Sequence, residues 1–476
     1  MDHQLASGIN LYPTSETCHL SLTAILNFAT VFGTINAIVP PLLTWVRYTY
    51  KIPQLTRSRC MNNQNSMQTT ALPRYFLLYL GALVALGPVA MDAYLPALPS
   101  MADALNVPIA TLNASISTFL VGFALGQLMG GPISDQVGRK TVCVVGTGLF
   151  VIASSAIALS DSASVINLWR LLQAFGGGFA TITAMAQVRD SYPAEEIGRR
   201  FATVMMVMMI APVVAPLIGT GLLQFGWRSI FIFQVLYAVT MLAIMLRMIP
   251  ETLTEPRQRL SLGRIVSQYN AILLHRHQGR LLALRFALCI GSAAGVLLIF
   301  VTHSSFMYMT YFGVSETTFS ILFGLNAIGL IAANSLSARL LSVMNPMRLF
   351  CISVIIQAVL VVVMALLTWS NTLTLGLAVP LVILSVGCVG ISNPAGMTRF
   401  MAMFPPHRGG SAAAIQTVAM FALGSGMGAL GSVFYDGTLK PVLAVMLISV
   451  AISMALLLTL RPLHQSEASA LEHQEK

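Results

Sequence analysis

The sequence predicts an all-α integral membrane protein with twelve core transmembrane helices. Hydrophobic residues make up 56% of the 476 residues, charged residues make up only 9%, and the mean hydropathy is +0.79. Because a soluble domain has about a quarter of its residues charged, this chain suits hydrocarbon rather than water. A hydrophobic segment in lipid must satisfy its own backbone hydrogen bonds, so helices are the only reasonable secondary structure.

Twelve hydrophobic segments of spanning length follow one another from Tyr75 onward, and a spanning helix takes about 20 apolar residues. The segments are predicted near 75–97, 110–132, 141–160, 165–186, 200–222, 229–249, 281–302, 317–341, 349–369, 374–394, 411–433 and 440–460. Only short connections separate them, apart from one long, charged gap in the middle.

Basic residues occur in alternate gaps, which sets the orientation of the chain. The gaps after the even-numbered segments contain Arg139, Lys140, Arg189, Arg199, Arg200, Arg257, Arg259, Arg264, Arg276, Arg280, Arg339, Arg348, Arg399 and Arg408. The other gaps hold little beyond Arg228 and Lys440, so the even-numbered gaps and both ends of the core face the cytoplasm. The net charge of +10 is therefore a topology signal. We expect the lipid bilayer as the partner and no nucleic acid.

The central gap divides the core into two six-helix halves. We assign residues 67–250 to an N-terminal half, 251–280 to a cytoplasmic linker, 281–462 to a C-terminal half and 463–476 to a cytoplasmic tail. Many secondary transporters have this arrangement. Residues 1–66 are predicted to be an appended N-terminal extension. Because residues 20–46 are apolar, a genuine thirteenth span is the alternative.

Asp92 lies late in the first segment, within VALGPVAMDAYLPALP, and is the one acidic residue that we place well inside a span. An unpaired carboxylate in hydrocarbon is costly, so an intramembrane acid usually faces a cavity and acts there. Because desolvation changes how strongly such a group holds a proton, Asp92 could load and release a proton, or attract a cationic substrate. A structural role at the outer interface, capping the turn before Tyr94, is the alternative.

Arg170 and Gln173 lie near the start of the fourth segment, in NLWRLLQAFGGGFATI. An arginine inside a span must find a partner or water, and we expect Asp92 to be its acidic neighbour. Snorkelling of the arginine to the outer interface is the alternative.

The gap between the second and third segments reads GGPISDQVGRK and contains Gly131, Asp135, Gly138, Arg139 and Lys140. Glycines let the backbone turn and let helices approach closely. Asp135 and Arg139 can form charge-assisted contacts. We expect these contacts to cross between the halves and to hold the cytoplasmic side closed in one state. A solvated turn would explain only the two basic residues.

The fifth segment, APVVAPLIGTGLL, contains Pro212, Pro216, Gly219 and Gly221. Prolines kink helices and small residues permit close packing. This segment is therefore predicted to bend or rock.

Together these motifs resemble the major facilitator superfamily and, within it, the Bcr/CflA group of drug:proton antiporters. GGPISDQVGRK resembles motif A of the superfamily, RLLQ followed by glycines resembles motif B, and the Pro/Gly pattern of the fifth segment resembles the motif C region of antiporters. Ala174 replaces the motif B glycine that follows Gln. The resemblance is clear over residues 75–250, rests on FPPHRGGSAAAIQ in the second half, and does not reach residues 1–66.

The resemblance implies a major facilitator fold in the bacterial inner membrane, with multiple passes. It implies proton-coupled efflux of small drug-like compounds, of the multidrug or phenicol type, by alternating access. In the superfamily the arginine that corresponds to Arg170 takes part in proton coupling, so Asp92, Arg170 and Gln173 are predicted as proton-coupling and substrate residues.

The energy source would be the proton gradient, with no cofactor and no metal, and we expect a monomer. An uptake carrier or facilitator of a small metabolite is the alternative function. An enzyme is not expected, because the sequence contains no HExxH, no paired intramembrane aspartates and no GxxxxGK[ST] phosphate loop.

Overall fold

Twelve long α-helices make up most of what the computed structural model describes, namely residues 73–253, 270, 272–274, 276–277, 280–404 and 409–460. The helices are α1 (Phe76–Asp92), α2 (Ile109–Val137), α3 (Arg139–Ala158), α4 (Ala163–Ser191), α5 (Ala194–Leu223), α6 (Arg228–Met248), α7 (Leu282–Ser305), α8 (Glu316–Leu340), α9 (Pro346–Trp369), α10 (Leu375–Met401), α11 (Gly409–Val433) and α12 (Lys440–Thr459). Two short antiparallel strands, β1 (Arg276–His277) and β2 (Arg280–Leu281), precede α7. The extension 1–66, the tail 463–476 and most of the linker lie outside the described residues.

The prediction of twelve spanning segments is confirmed, although one helix is less apolar than the rest. Eleven of the described helices are long and apolar enough to cross a membrane. The twelfth, α4, has 29 residues but carries Arg170, Gln173 and the glycines of 176–178. Arg170 and Gln173 are buried inside the protein, so the polar side chains that lower the hydropathy of α4 face other helices.

Helix α4 packs closely on α2 and α3, and glycines permit this approach. Gly146 of α3 faces Gly176 of α4: a Cβ atom built on either residue would lie 2.6 Å from the carbonyl oxygen of the other. Small residues at such crossings are the usual basis of helix association in membranes. The packing places the buried polar side chains of α4 against the end of α1.

Helix α1 ends at Asp92 instead of continuing across the membrane as one regular helix. Pro96 follows, and because proline has no N–H it cannot donate to the carbonyl of Asp92 four residues earlier. The chain instead forms a 3₁₀ turn, Leu95–Ala97, and a short helix, Leu98–Leu105. Asn106, with a φ of 51°, ends this helix in the left-handed conformation. The break leaves carbonyls near Asp92 open to side-chain donors.

The two predicted halves are formed by α1–α6 and α7–α12, and they meet along two seams. In one seam α2 packs against α11, and in the other α5 packs against α8. Thr220 of α5 and Ser320 of α8 share a hydrogen bond of 2.7 Å, and the Ser320 hydroxyl donates to the carbonyl of Pro216 at 3.1 Å. These contacts join the halves at the ends of α5 and α8 that the charge pattern assigns to the periplasmic side.

The topology is testable at two connections. Gln136 lies at the end of α2 and Lys440 at the start of α12. In a cysteine-free background, Gln136→Cys should react with a membrane-impermeant maleimide only when added from the cytoplasmic side, and Lys440→Cys only from the periplasmic side. Labelling of both positions from one side would contradict the assignment of twelve spans.

Candidate functional site

A cavity of about 1290 Å³ lies between the two halves. Its wall includes residues of α1, α2, α4 and α5 in the first half and of α7, α8, α10 and α11 in the second. Asp92 and Pro212 lie in the wall far from the cytoplasmic ends of their helices, and Asp135 and Arg189 lie at those ends. Because 57% of the Asp135 side chain is exposed, the cavity reaches the surface on the predicted cytoplasmic side.

Most of the cavity wall is apolar and adaptable in shape. Aromatic and methionine side chains in the wall are Phe119, Phe123, Phe201, Phe300, Phe323, Phe421, Met91, Met185, Met205, Met208 and Met397. Methionine is flexible and polarizable, so it fits ligands of different shape. A large apolar pocket with few polar groups is typical of a site for small organic molecules.

Asp92 is the last residue of α1, and its carboxyl lies in the cavity wall although the residue is only 4% exposed. Within the described part of the chain, no ion pair or hydrogen bond of this carboxyl is found. The prediction that Arg170 pairs with Asp92 is therefore wrong for this conformation. Asp92 is therefore an isolated acid at the end of the cavity that lies farthest from its cytoplasmic opening.

Arg170 is fully buried, which excludes snorkelling to the interface. Its Nη1 donates to the side-chain oxygen of Gln173 at 2.8 Å and to the carbonyl of Ala90 at 3.2 Å. The centre of the guanidinium lies 4.2 Å from the ring of Tyr94 and 4.8 Å from the ring of Phe119. A desolvated guanidinium is stabilised over aromatic faces. Rings and amides therefore surround the charge that we expected a carboxylate to neutralise.

The hydrogen bonds of Arg170 continue into a buried network. Gln173 donates to the hydroxyl of Ser154 at 2.7 Å and to the side-chain oxygen of Gln234 at 2.8 Å, and Gln234 donates to the carbonyl of Ala90 at 3.2 Å. Carbonyls in the last turn of a helix lack intrahelical partners, so two donors can converge on Ala90. The network joins α3, α4 and α6 to the end of α1, two residues before Asp92.

Arg170 and Gln173 are indicated by the sequence, whereas Ser154 and Gln234 are not. The available signal for Gln234 is a single amide in the apolar stretch FIFQVLY of the sixth segment. A polar side chain inside a span usually finds a partner on another helix. Ser154 offers no comparable signal, because serines are common in spans.

Arg139 lies at the cytoplasmic end of α3 within a group of polar side chains. It forms ion pairs with Asp135 and, at 2.9 Å, with Asp190 of α4. Its Nη1 also donates to the hydroxyl of Ser134 at 2.7 Å. All these residues belong to the first half, so among the described residues the contacts expected across the two halves are not formed in this conformation. The physical reason is the open cavity, which separates the halves on this side.

The turn between α2 and α3 is also attached to the end of α6. Backbone N–H groups of Arg139 and Lys140 donate to the carboxylate of Glu251 at 2.9 and 3.1 Å. Lys140 Nζ donates to the carbonyl of Ile249 at 2.8 Å. Gly138 has a φ of 103° and is packed against the Glu251 carboxylate, so a side chain there would be both strained and obstructed. Gly131 lies in the last two turns of α2, in the cavity wall.

Helix α5 is continuous through both of its prolines. Pro212 lies in the cavity wall, and the carbonyl of Pro216 accepts a hydrogen bond from Ser320 of the other half. Gly219 lies against the carbonyl of Ala93, where a Cβ atom would overlap it. Gly221 is half-buried two residues further on. The small and proline residues of α5 thus contact the broken end of α1 on one side and α8 on the other.

Comparisons with known proteins agree with this arrangement. The sequence profile described as Major Facilitator Superfamily matches residues 78–429. The chain is 30% identical over 380 residues to the uncharacterized MFS-type transporter YdgK of Bacillus subtilis, covering 78% of this chain and 92% of that protein. It is 31% identical over 285 residues to the bicyclomycin resistance protein homolog of Haemophilus influenzae, covering 59% of this chain and 70% of that protein.

The fold is shared with solved transporters of low sequence identity. The structure of the nucleoside transporter NupG, in a mutant form, superposes with a TM-score of 0.64 at 15% identity and covers 81% of this chain and 99% of that one. With its spanning helices and bacterial relatives, the chain is a multi-pass protein of the bacterial inner membrane, and its family points to transport rather than catalysis.

The buried network predicts energetic coupling between Gln173 and Gln234. Gln173→Leu and Gln234→Leu should each lower the thermal unfolding midpoint of the purified protein, because each leaves buried polar partners unsatisfied. Because the two amides are directly hydrogen-bonded to each other, the loss of unfolding free energy in the double variant should differ by about 1 kcal/mol from the sum of the two single losses. Gln224→Leu, at an exposed position, serves as the control and should add independently to Gln173→Leu. Additive effects of the two buried substitutions would contradict the network.

Proposed function

The chain belongs to the Major Facilitator Superfamily, and from this premise we propose that it exports small drug-like compounds across the inner membrane in exchange for protons. The conformation described here has its cavity open on the cytoplasmic side and its halves joined at the periplasmic ends of α5 and α8. In alternating access, this is the state that takes up substrate for export. Protons entering down their gradient supply the energy.

The isolated carboxyl of Asp92 at the inner end of an apolar cavity is the observation that carries this proposal. The free energy of a charge on such a group depends strongly on whether water reaches it. Alternating access opens the cavity first to one side and then to the other. The proton affinity of Asp92 can therefore differ between the two states without a fixed basic partner.

Exchange follows when substrate and proton exclude each other at Asp92. In the outward-open state the carboxyl takes a proton from the periplasmic side. In the inward-open state a substrate that binds in the cavity displaces that proton to the cytoplasm, and the loaded protein returns outward. One proton moves in and one substrate moves out in each cycle. When the substrate is a cation, it replaces the positive charge of the proton at the Asp92 carboxylate; when it is neutral, the carboxylate stays charged until it is protonated from the periplasmic side.

In this proposal Arg170 and Gln173 act through the backbone of α1. Arg170 and Gln234 both hold the carbonyl of Ala90, two residues from Asp92. If protonation of Asp92 moves the end of α1, it changes the hydrogen bonds to Ala90 in this network. A change in those hydrogen bonds would in turn move the end of α1 and alter the surroundings of Asp92. The network thus links the proton-binding group to α3, α4 and α6.

The charged group around Arg139 supports a gating role. Its partners Asp135 and Asp190 lie in the same half here. When the cytoplasmic side closes, the same turn approaches the second half, and the predicted contacts across the halves belong to that state.

The apolar wall, with its phenylalanine and methionine side chains, supports small organic molecules as substrates, and so does the name of the bicyclomycin resistance relative. An uptake carrier for a metabolite is the alternative. It differs in the direction of net substrate movement.

Asp92→Asn should abolish coupling while leaving the membrane level of the protein unchanged, because an amide cannot exchange a proton but has a similar volume. Asp92→Glu should retain part of the activity. The assay follows ethidium accumulation in inside-out vesicles and the proton movement that ethidium induces across an imposed pH gradient.

Asp103→Asn is the matched control, since Asp103 is exposed and follows α1 in the short helix Leu98–Leu105. It should couple like the wild type. Coupled transport by Asp92→Asn would refute the role of Asp92. Depletion of ethidium from wild-type inside-out vesicles, driven by the same gradient, would favour the uptake carrier.

A further inference from the structure

We propose that Asn326 of α8 is a hydrogen-bond acceptor for ligands on the second-half wall of the cavity and that it selects substrates carrying an N–H or O–H donor. This inference rests on the proposed function in so far as the cavity is the substrate site. Only 2% of the surface of Asn326 is accessible to solvent, and the residue lies in the cavity wall. It was not among the residues that the sequence indicated.

The second half of the protein offers few polar groups to a ligand. Among the described wall residues of α7, α8, α10 and α11, Asn326 and Thr417 are polar and the rest are apolar. The Thr417 hydroxyl donates to the carbonyl of Ala413 in its own helix at 2.9 Å. Asn326 is therefore the one side-chain amide among the described residues of this mostly apolar part of the wall.

The orientation of the Asn326 amide is fixed by its donors. Its Nδ2 donates to the carbonyl of Leu322 at 2.9 Å and to the hydroxyl of Tyr308 at 3.3 Å. Turning the amide over would place Oδ1 against the Leu322 carbonyl, where two acceptors would repel. In the part of the chain that the structure describes, Oδ1 is buried and has no hydrogen-bond partner.

Tyr308 is placed by an unusual turn of backbone. Residues Phe306–Tyr311 form a π-helical segment at the end of α7, and such segments are rare and occur frequently at functional sites. The Tyr308 ring is fully buried and packs 6.1 Å from Phe300 and 6.2 Å from Phe319, between ring centroids. Its hydroxyl is thereby held at Asn326, which makes Tyr308 a positioning residue.

The location suits a ligand in the middle of the membrane. Asn326 lies about ten residues beyond the start of α8 at Glu316, roughly 15 Å along the helix and about half of a 30 Å hydrocarbon core. Burying a carbonyl acceptor without a donor is unfavourable. A ligand donor relieves this cost, whereas a ligand without one leaves it in place, so the site discriminates between the two kinds of molecule.

Two lipophilic cations separate this role from a purely structural one. Ethidium carries aromatic amino groups, and tetraphenylphosphonium carries no hydrogen-bond donor. In equilibrium binding to the purified full-length protein, Asn326→Leu should weaken ethidium binding about fivefold to tenfold. Its affinity for tetraphenylphosphonium should stay within about twofold of the wild type, since loss of one hydrogen bond does not concern a ligand that cannot form it.

Asn334→Leu is the matched control, because Asn334 lies two turns further along α8, half-buried and away from the cavity wall. It should change neither affinity. Tyr308→Phe frees the Asn326 amide and should weaken ethidium binding about twofold to threefold, again with little effect on tetraphenylphosphonium. This milder variant keeps the test valid if Asn326→Leu does not fold.

Equal loss of both probes in either variant, or unchanged ethidium binding in both, would overturn the inference. Selective loss of ethidium binding supports it. The vesicle assay of Asp92 is independent of this readout. Binding selectivity without proton-coupled export would therefore reject the proposed exchange and leave the acceptor role of Asn326 intact.

Discussion

A polar group buried in hydrocarbon without a hydrogen-bond partner is unfavourable. This constraint has its largest effect on the structure at the broken end of α1. The helix ends at Asp92, and the carbonyl of Ala90 in its last turn accepts hydrogen bonds from Arg170 and Gln234. The arginine charge is in turn stabilised by the Tyr94 ring and by Gln173. The backbone break is thus repaired by other helices of the same half.

The Asp92 carboxyl is not part of that network, whose polar groups bond to one another and to the Ala90 carbonyl. If Arg170 were bound to Asp92, a desolvated ion pair would hold the carboxylate charged and would cost several kcal/mol to break. With the arginine held by rings and amides, the carboxyl has no basic partner among the described residues, as the proposed exchange of protons and substrate needs. The separation of a structural charge from an exchangeable one is what proton exchange at Asp92 requires.

The strengths of contacts at the two ends of the bundle fit a change between two states. At the periplasmic seam, Thr220 and Ser320 use neutral hydroxyls, and each such hydrogen bond contributes about 1 kcal/mol. Around Arg139 the ion pairs and Glu251 tie elements of the first half together, and none of these contacts between described residues reaches the second half. No ion pair between described residues therefore has to break when the halves part on the periplasmic side, although apolar residues of both halves also pack together there.

Much of this architecture could be predicted from the sequence, because hydropathy and charge alternation report directly on spans and orientation. Asp92, Arg170 and Gln173 were found because ionisable and amide residues are rare in spans. Their partners could not be predicted, since pairing depends on which helix faces meet. Gln234 satisfies Ala90 from α6, and Glu251 caps α3 from the end of α6. The accepting role of Asn326 depends on the rotation of one amide, which no sequence pattern records.

The most direct measurement of the central claim is proton release when substrate binds to the purified protein in a weakly buffered solution. If substrate and proton exclude each other at Asp92, ethidium should release protons from the wild type, detected with a pH indicator. The Asp92→Asn variant should bind ethidium and release none. Equal release from both proteins, or binding by the wild type without release, would contradict proton exchange at Asp92.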